Sequence, residues 1–113
     1  MDCAEPGIGE SMYVIKISRH SPQDCPGFNE KNKEIFLKAK KKGEVLSRKH
    51  KVKIVGAWVD MINHTAYSIY DVPRMEDLMD YLTEPEMMEV ISFQTSELRL
   101  LMTGKEVVEM IEG

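Results

Sequence analysis

Residues 19–30 read RHSPQDCPGFNE, which sets a guanidinium, an imidazole, a thiol and two carboxylates within one short stretch. His20 can move protons at neutral pH, because an imidazole titrates there. Cys25 can act as a nucleophile, a redox thiol or a soft metal donor, each through its thiolate. A second imidazole, His64, stands far downstream. His20, His64 and Cys25 are the candidate catalytic residues, the histidines as acid–base groups and the cysteine as the reactive thiol. They are also the donor types of a metal or thiol sensor. CxxC, HxxxH and a carboxylate triad are all absent, so the spacing assigns no metal ligand and names no cofactor.

The same stretch has a purely structural explanation. Ser21-Pro22-Gln23-Asp24 is a helix start with proline at the first helical position, and Cys25-Pro26 repeats the device. Helix-start N–H groups beside Arg19 would favour an anion, and would favour the thiolate of Cys25. Both explanations stand on the sequence alone. A P-loop, GxGxxG and G-x-S-x-G are absent, which removes the nucleotide-binding and serine-hydrolase signatures. His50, between Lys49 and Lys51, is expected to be a solvated helix-end residue. The nine methionines fall mostly at helical core spacing and act as adaptable filling.

These groups must be positioned by one domain, since 113 residues is a single-domain length. A chain of this size buries roughly two-thirds of its unfolded surface. With 42% hydrophobic and 30% charged residues, the composition is that of an ordinary globular protein. The apolar runs are too short to span a bilayer, and the N-terminus lacks a signal-peptide core, so the expected location is cytoplasmic, with reduced thiols. Residues 1–56 carry 12 Lys/Arg against 7 Asp/Glu, whereas residues 57–113 carry 3 against 12. The basic run KAKKKGEVLSRKHKVK has no interleaved aromatics to stack bases. It reads as the cationic end of a helix, which argues against nucleic-acid binding.

Residues 1–11 are expected to form a flexible tail and residues 12–113 the domain. A strand over 12–18 places Tyr13, Ile15 and Ile17 on one face and Val14, Lys16 and Ser18 on the other. A helix over about 28–48 carries Phe28, Ile35, Phe36, Ala39 and Leu46 on one side, with Gly43 allowing close approach to a sheet. Strands over 51–59 and 64–72 flank a hairpin connection. A helix over 74–82, a helical turn opened by Pro85 and a strand over 92–102 follow. A last helix has Thr103 as N-cap and Glu106 completing a capping box. The order β-α-β-β-α-β plus a helix is an α+β, ferredoxin-like arrangement: an antiparallel sheet with its helices on one face. Val14, Trp58, Tyr67 or Tyr70, and Leu101 are expected on the other face, with Lys16, Glu97 and Arg99 among them. Such a face calls for a second copy of the chain, hence a homodimer with those charges enclosed, the alternative being that Lys16 and Glu97 pair across neighbouring strands on a solvated face.

The runs MYVIKISRHSPQDCPGFNEK, HKVKIVGAWVDMINHTAYSIYDV and EPEMMEVISFQTSELRLLMTGKEVVEMI, within residues 12–112, resemble those of a family of small, functionally uncharacterised prokaryotic proteins. These carry H-S-P-x-x-C-P after the first strand, then G-x-W and a histidine. The matching positions here are His20, Ser21, Pro22, Cys25, Pro26, Gly56, Trp58 and His64. The family is similar to the dimeric α+β barrel group, and the resemblance implies that fold and a dimer but no reaction. The expected function is therefore binding of a small organic ligand, an anion among the options, inside a dimeric barrel. Arg19, Trp58, Tyr67, Tyr70, Glu97 and Arg99 are its ligand-binding candidates, with or without cofactor-independent catalysis by the histidines. The alternatives are a regulatory or interaction domain, or a metal or thiol sensor using His20, Cys25 and His64.

Overall fold

The computed structural model describes residues 11–113, so the expected N-terminal tail, with Cys3, lies outside the described residues apart from Ser11. In chain order the elements are β1 (Met12–Arg19), a 3-10 turn (Pro22–Asp24), α1 (Glu30–Lys49), β2 (Lys53–Asp60), β3 (Thr65–Val72), α2 (Met75–Leu82), α3 (Pro85–Ile91), β4 (Thr95–Leu101) and α4 (Gly104–Glu112). The strands form one four-stranded sheet in the order β2-β3-β1-β4, with every neighbouring pair antiparallel. This is the expected ferredoxin-like arrangement with one helix appended. Among the described residues, no helix is long and apolar enough to cross a membrane.

Local signals set most helix ends. The Thr103 hydroxyl accepts the Glu106 N–H at 3.0 Å, and the Glu106 carboxylate accepts the Thr103 N–H at 2.8 Å, which completes the capping box that starts α4. α1 starts later than its apolar pattern implies. The Cys25 carbonyl takes the N–H groups of both Phe28 and Asn29, closing a turn before the helix. Phe28 is thereby left 78% exposed instead of joining the core, and Asn29 becomes the N-cap. At the other end, His50 caps α1 and its ring meets the Glu84 carboxylate, which Lys49 also reaches at 3.0 Å. His50 is thus half-buried and paired rather than solvated. Lys38 and Lys42 likewise face Glu89 and Glu86, so part of the chain's charge asymmetry is neutralised between α1 and α3.

The register orients the sheet. Val14 lies opposite Tyr70 and Leu100, and Val14, Tyr70 and Val72 pack with Leu78, Tyr81 and Leu82 of α2 and with Val52 to form the core. Val14, Lys16 and Tyr70 therefore lie under the helices, not on the helix-free face expected for them. Both faces of β1 are apolar, so alternation alone does not orient it; the buried side of α2 does. Burial pushes the Lys16 ammonium below the usual lysine range. The helix-free face carries Tyr13, Ile15 and Ile17, together with Tyr67, Ile69, Trp58 and Leu101 of neighbouring strands. The Trp58 indole lies directly over Gly56, where any Cβ would collide with it, and Trp58 as a residue is still 55% exposed.

Candidate metal-binding site

In an antiparallel pair, the residue that follows one strand lies beside the residue that precedes the other. Arg19 of β1 is paired with Thr65 of β3, so His20 and His64, one step beyond each, come together. The His20 N–H donates to the His64 carbonyl at 3.2 Å, and the rings meet edge to face with centroids 5.3 Å apart. His64 ends the β2–β3 turn in the left-handed region at φ 51°, a backbone state uncommon outside glycine. Asp60 clamps that turn: its carboxylate accepts the Ile62 and Asn63 N–H groups at 3.1 Å each and the Asn63 side chain at 2.8 Å. Those bonds, the Asn63 side chain first, hold the Asp60 carboxyl below its usual range.

Cys25 arrives from the other side. The Ser21 hydroxyl caps the 3-10 turn by accepting the Asp24 N–H at 3.2 Å, and Cys25 closes the turn with its N–H on the Pro22 carbonyl at 3.3 Å. Two asparagines fasten this loop to α1. The Asn32 amide donates to the Asp24 carbonyl at 2.9 Å, and the Asn29 amide donates to the Gln23 carbonyl at 3.1 Å. Asn32 sits on the inward stripe of α1 with Ala39 and Gly43, and all three are buried. A polar residue on an apolar helix stripe was the sequence signal that would have marked it, and that signal is absent from the apolar positions used to place the helix.

The outcome is a compact cluster: the donor atoms of His20, Cys25 and His64 all lie within 4.8 Å of one another. Two donors sharing one ion at bond lengths of about 2.0–2.3 Å sit roughly 3.3–3.8 Å apart, a distance that small imidazole rotations reach. Cys25 is 3% exposed, and Nδ1 and Nε2 of His20 and Nδ1 of His64 are buried with no hydrogen-bond partner. An unpaired buried polar group costs about 1–3 kcal/mol, so these nitrogens are placed at the expense of stability. Burial first, and then the neighbouring His64, push the His20 imidazole below its usual value, with Asp24 opposing. Both effects favour the neutral form of the His20 imidazole, the form that ligates metals.

The structure separates the remaining candidates. Arg19 donates to Glu97 at 3.1 Å and Arg99 approaches the same carboxylate at 2.9 Å. The two guanidiniums, Arg19 first, hold the Glu97 carboxyl below its usual range. This trio shares the helix-free face with Trp58 and Tyr67. Tyr70 leaves the set: it is buried in the core on the opposite face, where burial pushes its hydroxyl up. The expected anion site at a helix start also loses its geometry. α1 begins at Glu30, beyond Cys25, and a helix dipole acts only over its first turn. Arg19 is meanwhile engaged by Glu97. A cleft of about 310 Å³ runs beside the cluster, lined by Arg19, His20, Asp24, Phe93 and Gln94 among others.

No family model matches the chain, and no curated protein is similar to it in sequence. Its fold is similar to that of a NIPSNAP family protein of unknown function from Agrobacterium tumefaciens, with a TM-score of 0.54 at 14% identity over 80% of this chain and 86% of that one. It is similar also to an uncharacterised NIPSNAP-like domain protein from Burkholderia xenovorans, with a TM-score of 0.53 at 13% identity over 85% and 87% of the two chains. At these identities the likeness establishes the fold. It carries neither the H-S-P-x-x-C-P segment nor an activity.

Proposed function

We propose that this protein binds a transition-metal ion through His20, Cys25 and His64. One observation carries this reading: three donors from separate segments converge within 4.8 Å in a buried place where three imidazole nitrogens have no other partner. Thiolate and imidazole are the ligand types that late first-row metals prefer. Binding releases the thiol proton of Cys25 to solvent as the metal–sulfur bond forms. The test is titration of the reduced protein with Co(II), in a Cys3→Ser background, with the mass of the complex read by native mass spectrometry. One ion per chain is expected, with a thiolate charge-transfer band that disappears in Cys25→Ser. Affinity in His64→Gln should fall at least about 100-fold, beyond what loss of an outer-shell partner costs. Absence of any stoichiometric uptake would overturn the proposal.

The helix-free face favours a second reading, in which two copies of the chain pair sheet to sheet. Tyr13, Ile15, Ile17, Tyr67 and Ile69, each half-buried, and the exposed Leu101 share this helix-free face, and a contiguous apolar face of that kind marks an interaction site. Arg19, Glu97 and Arg99 would then be enclosed between the copies with one cation in excess, and a small anionic ligand held there by Trp58 and Tyr67 would neutralise it. Sedimentation should give a dimer at micromolar concentration, weakened in Trp58→Ala. A species of 13.0 kDa under those conditions would remove this reading.

A further inference from the structure

We infer that the ion is copper, held three-coordinate by the sulfur of Cys25 and one ring nitrogen from each of His20 and His64. The inference rests on the metal-binding reading and adds the identity of the metal to it. The donor set comes first. One thiolate with two imidazoles is the set that suits copper in a trigonal geometry, whereas zinc is almost always tetrahedral and needs a fourth ligand. Among the described residues, the group of His, Cys, Asp and Glu side chains that could share an ion stops at these three. The nearby Asp24 carboxylate is engaged by the Ser21 hydroxyl at 3.0 Å.

Solvent exclusion comes second. A three-ligand zinc site ordinarily completes its tetrahedron with water. Here both ring nitrogens of His20 and Nδ1 of His64 are shut off from solvent, and Cys25 is 3% exposed. A fourth ligand from solvent, arriving from the cleft that His20 lines, would have to displace the atoms that shield these donors. Rigidity comes third. Asn29 and Asn32 tie the cysteine loop to α1, and Asp60 locks the turn that delivers His64. Such a frame resists the larger coordination shells that Cu(II) takes when its ligands are mobile. The occupant is thus copper, in either valence, on the same three donors.

The experiment adds one equivalent of Cu(II) to the reduced Cys3→Ser protein under anaerobic conditions and records visible absorption and electron paramagnetic resonance. A parallel sample with Cu(I) is examined by X-ray absorption. The expected result is a stable, intense thiolate-to-copper band that is lost in Cys25→Ser, and a Cu(I) shell of two nitrogens and one sulfur. Cys25→Ser is nearly isosteric, and its folding is checked by its melting curve without metal. Oxidation of Cys25 without a stable band, a weak tetragonal spectrum unchanged in Cys25→Ser, or a four-ligand Cu(I) shell would overturn copper. The Co(II) titration would then still report whether the metal-binding reading stands. Failure to take up either ion would overturn both.

Discussion

Near Met12, β1 packs among Tyr70, Val72 and the buried side of α2; near Arg19, the same strand meets Ser96, Thr65 and two imidazoles. The first end is an apolar core in which Val14, Val72 and Leu78 are wholly enclosed. At the second end the buried residues Ser18, Thr65 and Asn32 are polar, while Arg19 and Ser96 reach solvent. Most of them are satisfied there: Ser18 and Ser96 share a hydroxyl hydrogen bond at 3.0 Å, Thr65 donates to the Asn63 carbonyl at 3.0 Å, and Asn32 is bonded to the loop. The imidazoles of His20 and His64 stand apart, because their buried nitrogens are not satisfied. His50, whose ring has Glu84, shows what a purely structural histidine looks like in this fold. The difference teaches that one end of the sheet holds the fold together, while the other accepts a loss of stability in order to hold a cluster of donors.

If the two ends are separable, the largest effect belongs to the apolar one. Leu78→Ala should cost about 3 kcal/mol, as for a fully enclosed leucine. Urea unfolding would show it as a lower midpoint at unchanged slope. Metal affinity of the folded fraction should stay at the wild-type value. A parallel fall in affinity would mean that the ends are coupled, and the comparison would break.

The polar end should gain from its ligand by a similar but smaller amount. Free metal at a hundred times its dissociation constant should add about 2.7 kcal/mol to the unfolding free energy. A thermal melt with and without metal measures this, and Cys25→Ser should abolish the shift. An equal shift in Cys25→Ser would place the metal elsewhere on the chain.

How much of this was visible in the sequence also differs between the ends. The order of elements followed from hydrophobic period and turn residues, and Thr103 and Glu106 marked the start of α4 by their types alone. The face of β1 did not follow, because Tyr13, Ile15 and Ile17 on one side are as apolar as Val14 on the other. The turn that exposes Phe28 also escaped, since it depends on the Cys25 carbonyl rather than on any side-chain pattern. At the polar end, the residue types of His20, Cys25 and His64 were legible but their proximity was not, because it is a long-range fact. A route to it existed. In a 2-3-1-4 antiparallel sheet, the residue after β1 must lie beside the residue before β3; the expected bounds of 12–18 and 64–72 put Arg19 and Asn63 there, and only the observed ends at Arg19 and Thr65 join His20 to His64. Only the loop geometry that brings Cys25 to them had no sequence signal.

The two faces of the sheet offer a second contrast, with a smaller expected effect. On the helix-free face the Trp58 indole occupies the space above Gly56. Gly56→Ala should displace the ring and cost about 1–2 kcal/mol, within the range for overpacking. If that face is a dimer interface, the loss should appear mainly as weaker association in sedimentation and less as a lower melting temperature of the dilute protein. A variant that associates and melts as the wild type does would show that the indole moves freely and holds nothing in place.

The smallest effect, and the sharpest probe of where one end gives way to the other, is expected at Lys16. It lies on the helix side of β1, between Val14 of the core and Ser18 of the polar end, opposite Ser68 and Leu98. Burial lowers its ammonium from the ordinary value of 10.5, and among the described residues no charged group offsets that burial. In the unfolded chain the amine titrates at its ordinary value; in the folded chain it titrates lower. Between those two values the unfolded chain binds more protons, so stability rises with pH through that window. Below the window both states carry the charge, and the full cost of burying it is felt; above it both are neutral and the cost is gone. Lys16→Met keeps the length of the chain and removes the charge. The variant should therefore be more stable than the wild type at neutral pH, by up to about 1 kcal/mol, a change of surface-substitution size or slightly above. The difference should shrink as pH rises toward the alkaline side, while the tyrosines that titrate there are common to both proteins and cancel. Chemical unfolding of the two proteins across neutral to alkaline pH measures this. A variant less stable than the wild type at neutral pH would show that the ammonium is held by a favourable partner, and that the polar end of the sheet extends one residue pair further into the core.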